Sequence, residues 1–268
     1  MERLKNAHYH QYSALIHDRT GIHIAENKRQ LLETRLGRLL YRKRIESPEA
    51  YLRILENPAN KLEFQEFVDA MTTNTTEFFR ENHHFEFLQR EADRWMADNP
   101  RIRREREIRI WSAGCSTGQE AVTLRMLMED LFGDEIRVIL LATDISQKVL
   151  RKAVSGFYSD QEAEGIPKAY LSRHFLRVAG GWQLEPAILG DIRYRHFNLM
   201  EPFPFRKGFD MIFCRNVMIY FDLETQQSLI TKFYNALPSG GLFFIGHSES
   251  LINKRHHFRH LGPSLYQR

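Results

Sequence analysis

Residues 111–120, Trp-Ser-Ala-Gly-Cys-Ser-Thr-Gly-Gln-Glu, run from an apolar strand into a turn bounded by Gly114 and Gly118. Two glycines there let the backbone turn sharply and let a ligand come close to it. Downstream, Asp144 closes the apolar run 138–143, at about the separation expected of a carboxylate that takes the hydroxyls of a ribose. The spacing G-x-G-x-x-G is missing, which counts against a dinucleotide, whereas a ligand with adenosine but no pyrophosphate needs fewer backbone donors at such a turn. The plain alternative for this pair of features is a structural βα turn.

Three more stretches place polar groups where a ligand could use them. Residues 72–81 (Thr-Thr-Asn-Thr-Thr-Glu-Phe-Phe-Arg-Glu) gather four threonines, Asn74 and Arg80 beside two aromatics, more than one helix cap requires. Residues 209–222 leave a buried strand and bring Arg215, Asn216 and Tyr220 to one crevice. Residues 246–250, Gly-His-Ser-Glu-Ser, follow another strand, and His247 reads as structural. His83-His84 and His256-His257 are adjacent pairs rather than i, i+4 ligands, so no metal is expected.

Elements must hold these groups. Apolar runs predict strands over 108–113, 138–143, 209–214 and 242–245, with helices over 120–131, 147–154 and 223–237 between them. Such alternation means βαβ units and a parallel sheet covered on both faces, with any ligand at the carboxyl ends of the strands. Residues 171–197 break the rhythm and read as a small hairpin whose turn is only Val178-Ala179-Gly180-Gly181. The first seventy residues read as helical. Asn27 could cap a helix from Lys28, with Leu32, Leu36, Leu39 and Leu40 on one stripe and Lys28, Arg35, Arg38 and Arg42 on the next. Ser47-Pro48-Glu49 restarts a helix, and a third covers 61–71. The expected division is a helical domain at 1–72, a linker and ligand-contacting segment at 73–100, and an α/β domain at 101–268 that carries an inserted β-subdomain at 171–197.

Composition excludes some classes. The 268 residues are 43% hydrophobic and 12% aromatic, enough for a packed core. No apolar run reaches membrane-spanning length, and the first residues lack a secretory h-region. Cys115 and Cys214 have no partner at metal-type or redox-type spacing. The expectation is a cytoplasmic protein with free thiols. Net charge is +4, and residues 1–44 concentrate it, with ten Lys/Arg against four Asp/Glu. A basic end suits nucleic acid, an anionic lipid surface or an acidic protein, or is simply a solvated face.

Residues 72–81, 111–120, 141–145, 210–222 and 246–250 together resemble, in order and spacing, the signature blocks of the CheR family of chemotaxis receptor methyltransferases, and the match runs through nearly the whole chain. The resemblance implies a Rossmann-like S-adenosylmethionine-dependent methyltransferase sheet with an N-terminal all-helical domain and a small inserted β-subdomain. It implies methyl transfer from S-adenosylmethionine to glutamate carboxylates of bacterial chemotaxis receptors, leaving S-adenosylhomocysteine. It assigns cofactor contacts to Asn74, Thr76, Arg80, Glu120, Asp144, Asn198, Leu199, Arg215 and Asn216. Arg80 would pair with a carboxylate near the methyl group, of the cofactor or the substrate, and Tyr220 would orient the sulfonium or the substrate. Arg35, Arg38 and Arg42 would then meet the glutamate-rich helical region of the receptor.

Two other classes remain beside that reading. A nucleic-acid methyltransferase would use the basic end on phosphates. Amino-methylating enzymes, however, usually show a Pro-Pro-aromatic turn where Val217-Met218-Ile219-Tyr220 follows Asn216. A silent binding module would keep the fold, but Asn74, Arg80 and Asp144 are intact. Membrane insertion is not expected. Some family members first dock on a peptide at the receptor's C-terminal tail, and the compact 178–181 turn predicts an enzyme that does without that tether.

Overall fold

The structure, a computed structural model, describes residues 4–268. The N-terminal helices are α1 (Asn6–Thr20), α2 (Arg29–Lys43), α3 (Pro48–Glu56) and α4 (Lys61–Met71). Leu32, Leu36, Leu39 and Leu40 bury against Tyr12, Tyr51 and Phe67, so the apolar stripe of α2 does become the core of this domain. Ser47 caps α3 by accepting the Ala50 amide, with Pro48 in the first turn. Asn27 does not cap α2. It lies inside a 3-10 turn, Glu26–Lys28, and α2 starts at Arg29, whose guanidinium folds back on Asn6, Glu26 and Glu33.

Residues 73–100 are more than a linker. They hold α5 (His83–Ala97), whose Phe85, Leu88, Ala92 and Trp95 recur at helical spacing and are buried in the core of the sheet domain. The chain then runs through α6 (Pro100–Glu105), β1 (Glu107–Ala113), α7 (Gln119–Phe132), β2 (Arg137–Asp144), α8 (Gln147–Ser155), β3 (Phe157–Ser159), α9 (Asp160–Ala163) and α10 (Lys168–His174). Next come β4 (Phe175–Val178), β5 (Gly181–Leu184), α11 (Pro186–Gly190), β6 (Ile192–His196), β7 (Met211–Cys214), α12 (Leu223–Ala236), β8 (Leu242–Ile245), β9 (Arg259–Gly262) and β10 (Leu265–Gln267).

Seven strands form one sheet in the order β6-β2-β1-β7-β8-β10-β9. From β6 to β8 every pairing is parallel, and β10 enters antiparallel beside β8. The central strands β7 and β8 are buried at every position, as a sheet covered on both faces demands. A second sheet, β3-β5-β4, stands apart from it. Two boundaries of the expected insertion move. Residues 192–196 belong to the main sheet, where Ile192 pairs with Leu140 and His196 with Asp144. That strand buries only Ile192 and Tyr194, the one-sided pattern of an edge, and so lacks the apolar run that marks its neighbours. The small sheet in turn takes in β3, which precedes the insertion. Tyr158 of β3 is fully buried, and its hydroxyl reaches the Thr117 carbonyl at 3.2 Å, bracing the glycine-bounded turn.

Candidate functional site

The chain leaves β1 toward β2 and β6 on one side and returns through β7 and β8 on the other. The carboxyl ends of β1 and β7 therefore diverge at a switch point, where open α/β sheets bind ligands. A cavity of about 280 Å³ lies there. Its wall includes Asn74, Thr76, Arg80, Glu120, Asp144, Asn198, Leu199, Arg215, Asn216 and Tyr220, so all the sequence-assigned cofactor residues come together in one place.

The turn after β1 is shaped for close approach. Gly114 has φ +91, and a Cβ there would run into Val217. Ser116, at φ +49, turns its amide onto Asp144 Oδ2 at 2.8 Å, while the Ser146 amide takes Oδ1 at 2.8 Å. Burial pushes the Asp144 carboxyl up, and the two amides only partly offset it. Each oxygen keeps a lone pair, enough to accept a pair of vicinal hydroxyls.

Beyond Asp144 lies a buried ionic group. Arg215, with 2% of its side chain exposed, stands between Glu81 at 3.2 Å and Glu120 at 3.3 Å, over the ring of Phe85. It also donates to the Arg80 carbonyl. Burial pushes Glu120 up, against the pull of Arg215 and the Ser112 hydroxyl. Burial raises Glu81 too, but the His247 amide, Arg215 and Asn216 outweigh it and hold its carboxyl below the ordinary value. Two carboxylates share one guanidinium, so the site has room for a further positive charge. S-adenosylmethionine, a cation with a ribose, fits these acceptors: its hydroxyls suit Asp144 and its positive groups suit the surplus carboxylate charge.

The segment after α4 forms another wall. Asn74 accepts the Ser116 hydroxyl on its carbonyl at 2.9 Å and turns its amide to Thr72 at 3.2 Å. Arg80 sits at the rim with its guanidinium on the Thr75 carbonyl at 3.1 Å. Asn198 is already engaged, donating to the Arg19 carbonyl at 2.7 Å and accepting the Met200 amide at 3.0 Å. Tyr220 has its hydroxyl 3.5 Å from the Thr73 carbonyl and its ring 5.7 Å from the Lys28 ammonium. Among the described residues, eight non-glycine residues have positive φ; three of them, Phe79, Ser116 and Asn216, line this cavity, and a fourth, Glu81, pairs with Arg215 of its wall. Strain held at one place marks a site that the rest of the fold over-determines.

The helical domain closes one side. Thr20 and Ile22 line the cavity, the His23 amide donates to the Tyr220 carbonyl at 2.8 Å, and His17 meets Asp222 at 2.7 Å. The basic stripe divides. Arg35 is half-buried and bound to the Met71 carbonyl and to Thr73 Oγ1, so it shapes the cavity wall. Arg38 and Arg42 are exposed, Arg42 being 3.7 Å from Glu66. Sequence reasoning passed over Glu81, Ser116, Thr20, Ile22 and Glu249. Glu81 and Glu249 lie inside blocks that drew notice, but an acidic residue that serves backbone amides carries no mark of it in the sequence.

Residues 74–266 match the family model described as the CheR methyltransferase SAM binding domain, and residues 7–72 match the CheR methyltransferase all-alpha domain. The chemotaxis protein methyltransferase of Escherichia coli is 37% identical over 98% of this chain and 91% of its own length. That of Borreliella burgdorferi is 35% identical over 95% of this chain and 91% of its own. Chemotaxis protein methyltransferase 2 of Pseudomonas aeruginosa is 38% identical over 92% and 88%.

Proposed function

This chain belongs to the CheR methyltransferase family, and from that premise we propose that it esterifies glutamate side chains of bacterial chemotaxis receptors. The observation that carries the reading is the switch-point cavity lined by Asp144, Glu120 and Arg215, with Glu81 paired to Arg215. When bound, S-adenosylmethionine supplies a methyl group on a positively charged sulfur.

The chain's own residues do the rest. Asp144 takes the ribose hydroxyls, and Glu120 orients the cationic part, with Asn74, Thr76, Asn198, Leu199, Arg215 and Asn216 completing the walls. A glutamate acceptor is already ionised at neutral pH, so no general base is needed. Phe79, Phe85, Phe197, Val217 and Phe221 in the wall exclude water, which weakens a carboxylate's hydration as opposite charges approach and cancel. Placement in line at near-attack distance supplies the remainder. Arg80 at the rim pairs with a carboxylate, of the cofactor or of the acceptor. Tyr220 faces the same space with hydroxyl and ring. Exposed Arg38 and Arg42 meet the glutamate-rich receptor helices, and the turn of the small hairpin, Ala179-Gly180 between paired Val178 and Gly181, supports an enzyme that needs no tail peptide.

The test is transfer of labelled methyl groups to receptor-containing membranes, with glutamate and glutamine versions of the acceptor sites. Counts that base releases as methanol, and that disappear with the glutamine versions, are expected. Base-stable label in nucleic acid would overturn the assignment.

A further inference from the structure

Glu249 is buried between two loops that leave different strands, and none of its polar partners is a cationic side chain among the described residues. Its carboxylate instead accepts four backbone amides. Asn216 at 2.9 Å and Gly246 at 2.6 Å share Oε2, while Val217 at 2.9 Å and Ile219 at 3.3 Å share Oε1. Every lone-pair position of the carboxylate is thereby used.

The loop held in this way is an unfavourable one. Asn216 has φ +58, and a 3-10 turn, Met218–Tyr220, follows it. Its amides find no partners in the sheet, so without the carboxylate they would be left unpaired at a part-buried place. The second loop comes so near that a Cβ on Gly246 would lie 2.7 Å from the Asn216 amide nitrogen. Asn216, Val217, Ile219 and Tyr220 line the cavity, whereas Glu249 itself is not part of its wall.

We infer that Glu249 is a positioning residue for methyl transfer: its carboxylate pins the loop after β7 to the loop after β8 and so sets Asn216 and Tyr220 against the cofactor and acceptor. The inference rests on the methyltransferase reading above. Glutamine cannot substitute, because its amide nitrogen would face N–H donors where an acceptor is needed.

The experiment uses the full chain, receptor membranes as acceptor, and calorimetry with S-adenosylhomocysteine. Glu249→Gln is expected to remain folded, with kcat down at least about tenfold, cofactor-product Kd up about three- to tenfold and receptor KM within about twofold. Tyr220→Phe should lower kcat in the native background yet add little on top of Glu249→Gln, because the loop shift already displaces the hydroxyl that the substitution removes. Gly246→Ala, which forces the loops apart without touching the carboxylate, should reproduce the kinetic pattern. Unchanged kcat and Kd in folded Glu249→Gln overturn the inference, as does full additivity with Tyr220→Phe. If neither Glu249→Gln nor Gly246→Ala folds, the group is a fold determinant and the positioning role is refuted. The native enzyme separates the two readings. If it transfers no methyl group to receptors, the acceptor assignment fails, and Glu249 is then judged on cofactor-product affinity alone.

Discussion

Asp144 shows how a single side chain can carry a ligand assignment. Its two oxygens are each anchored by a backbone amide, so the carboxylate is aimed before anything binds. Asp144→Ala should therefore weaken cofactor binding without unfolding the chain, by about 1.5–3 kcal/mol, a ten- to hundredfold rise in Kd. Calorimetry on the folded variant checks this, and an unchanged Kd would refute the ribose assignment. His84 leads to a different prediction. It is buried, and burial together with Arg215, His83 and His247 pushes its pKa down to about 2, with Glu81 4.0 Å away as the facing acid. An unfolded histidine titrates near 6.5. The unfolded chain thus takes up a proton below that pH that the folded chain refuses, so stability is complete above about pH 6.5 and drains as pH falls. The melting temperature should drop between pH 7.5 and 5.5, and His84→Leu should flatten the drop. At this scale the sequence is legible where chemistry and position coincide. Asp144 ends an apolar run, and a strand-end carboxylate is easy to see. Glu81 and Glu249 are invisible because their partners are backbone amides and groups brought near only by the fold.

The elements decide which charges are free to act. Lys28, Arg35, Arg38 and Arg42 form one stripe by periodicity, but α4 ends against α2, and its last carbonyl captures Arg35. Reversing Arg38 and Arg42 to glutamate should raise the receptor KM about tenfold at low ionic strength, the effect shrinking as salt screens exposed pairs. Arg35→Ala should behave otherwise, weakening cofactor binding through the loosened 71–73 segment while leaving the salt dependence of KM alone. Equal salt dependence in both variants would return Arg35 to the docking face. The small sheet can be judged in the same way. Its outer strand β4 has one unpaired edge with Leu176 and Val178 exposed, yet the two-residue turn leaves little backbone for a groove. Titration with a receptor tail peptide is expected to show no binding; clear micromolar binding lost in a β4 variant would show that an open edge outweighs a short turn. Periodicity reached α2, α3, α4 and the central strands, but missed β3 and β6. A strand of three residues has no period to read, and an edge strand with alternating arginines resembles a loop.

Across the whole molecule, the cavity belongs to both halves of the chain. Thr20 and Ile22 complete its wall from the helical side, and the two halves are joined at separate points around it. His17 meets Asp222 beyond Tyr220. On the opposite side, Gln65 of α4 donates to the Ile145 carbonyl at 2.8 Å, next to Asp144, and Asp69 accepts the Lys148 amide at 3.2 Å. A ligand enclosed by two bodies binds only to the arrangement in which both are in place, and its apparent affinity falls with the fraction of molecules so arranged. His17→Ala and Gln65→Ala remove one joint each without removing any cavity-wall group. Each lost hydrogen bond is worth about 1 kcal/mol, so each variant should bind S-adenosylhomocysteine a few-fold more weakly. The two joints share no partner, so the double variant should show the sum of the two losses in free energy. Calorimetry on the three variants measures this directly. Native affinity in all three would mean that the contacts left in place, among them His23 with Tyr220, Asn198 with Arg19 and Lys148 with Asp69, hold the halves together without these two joints.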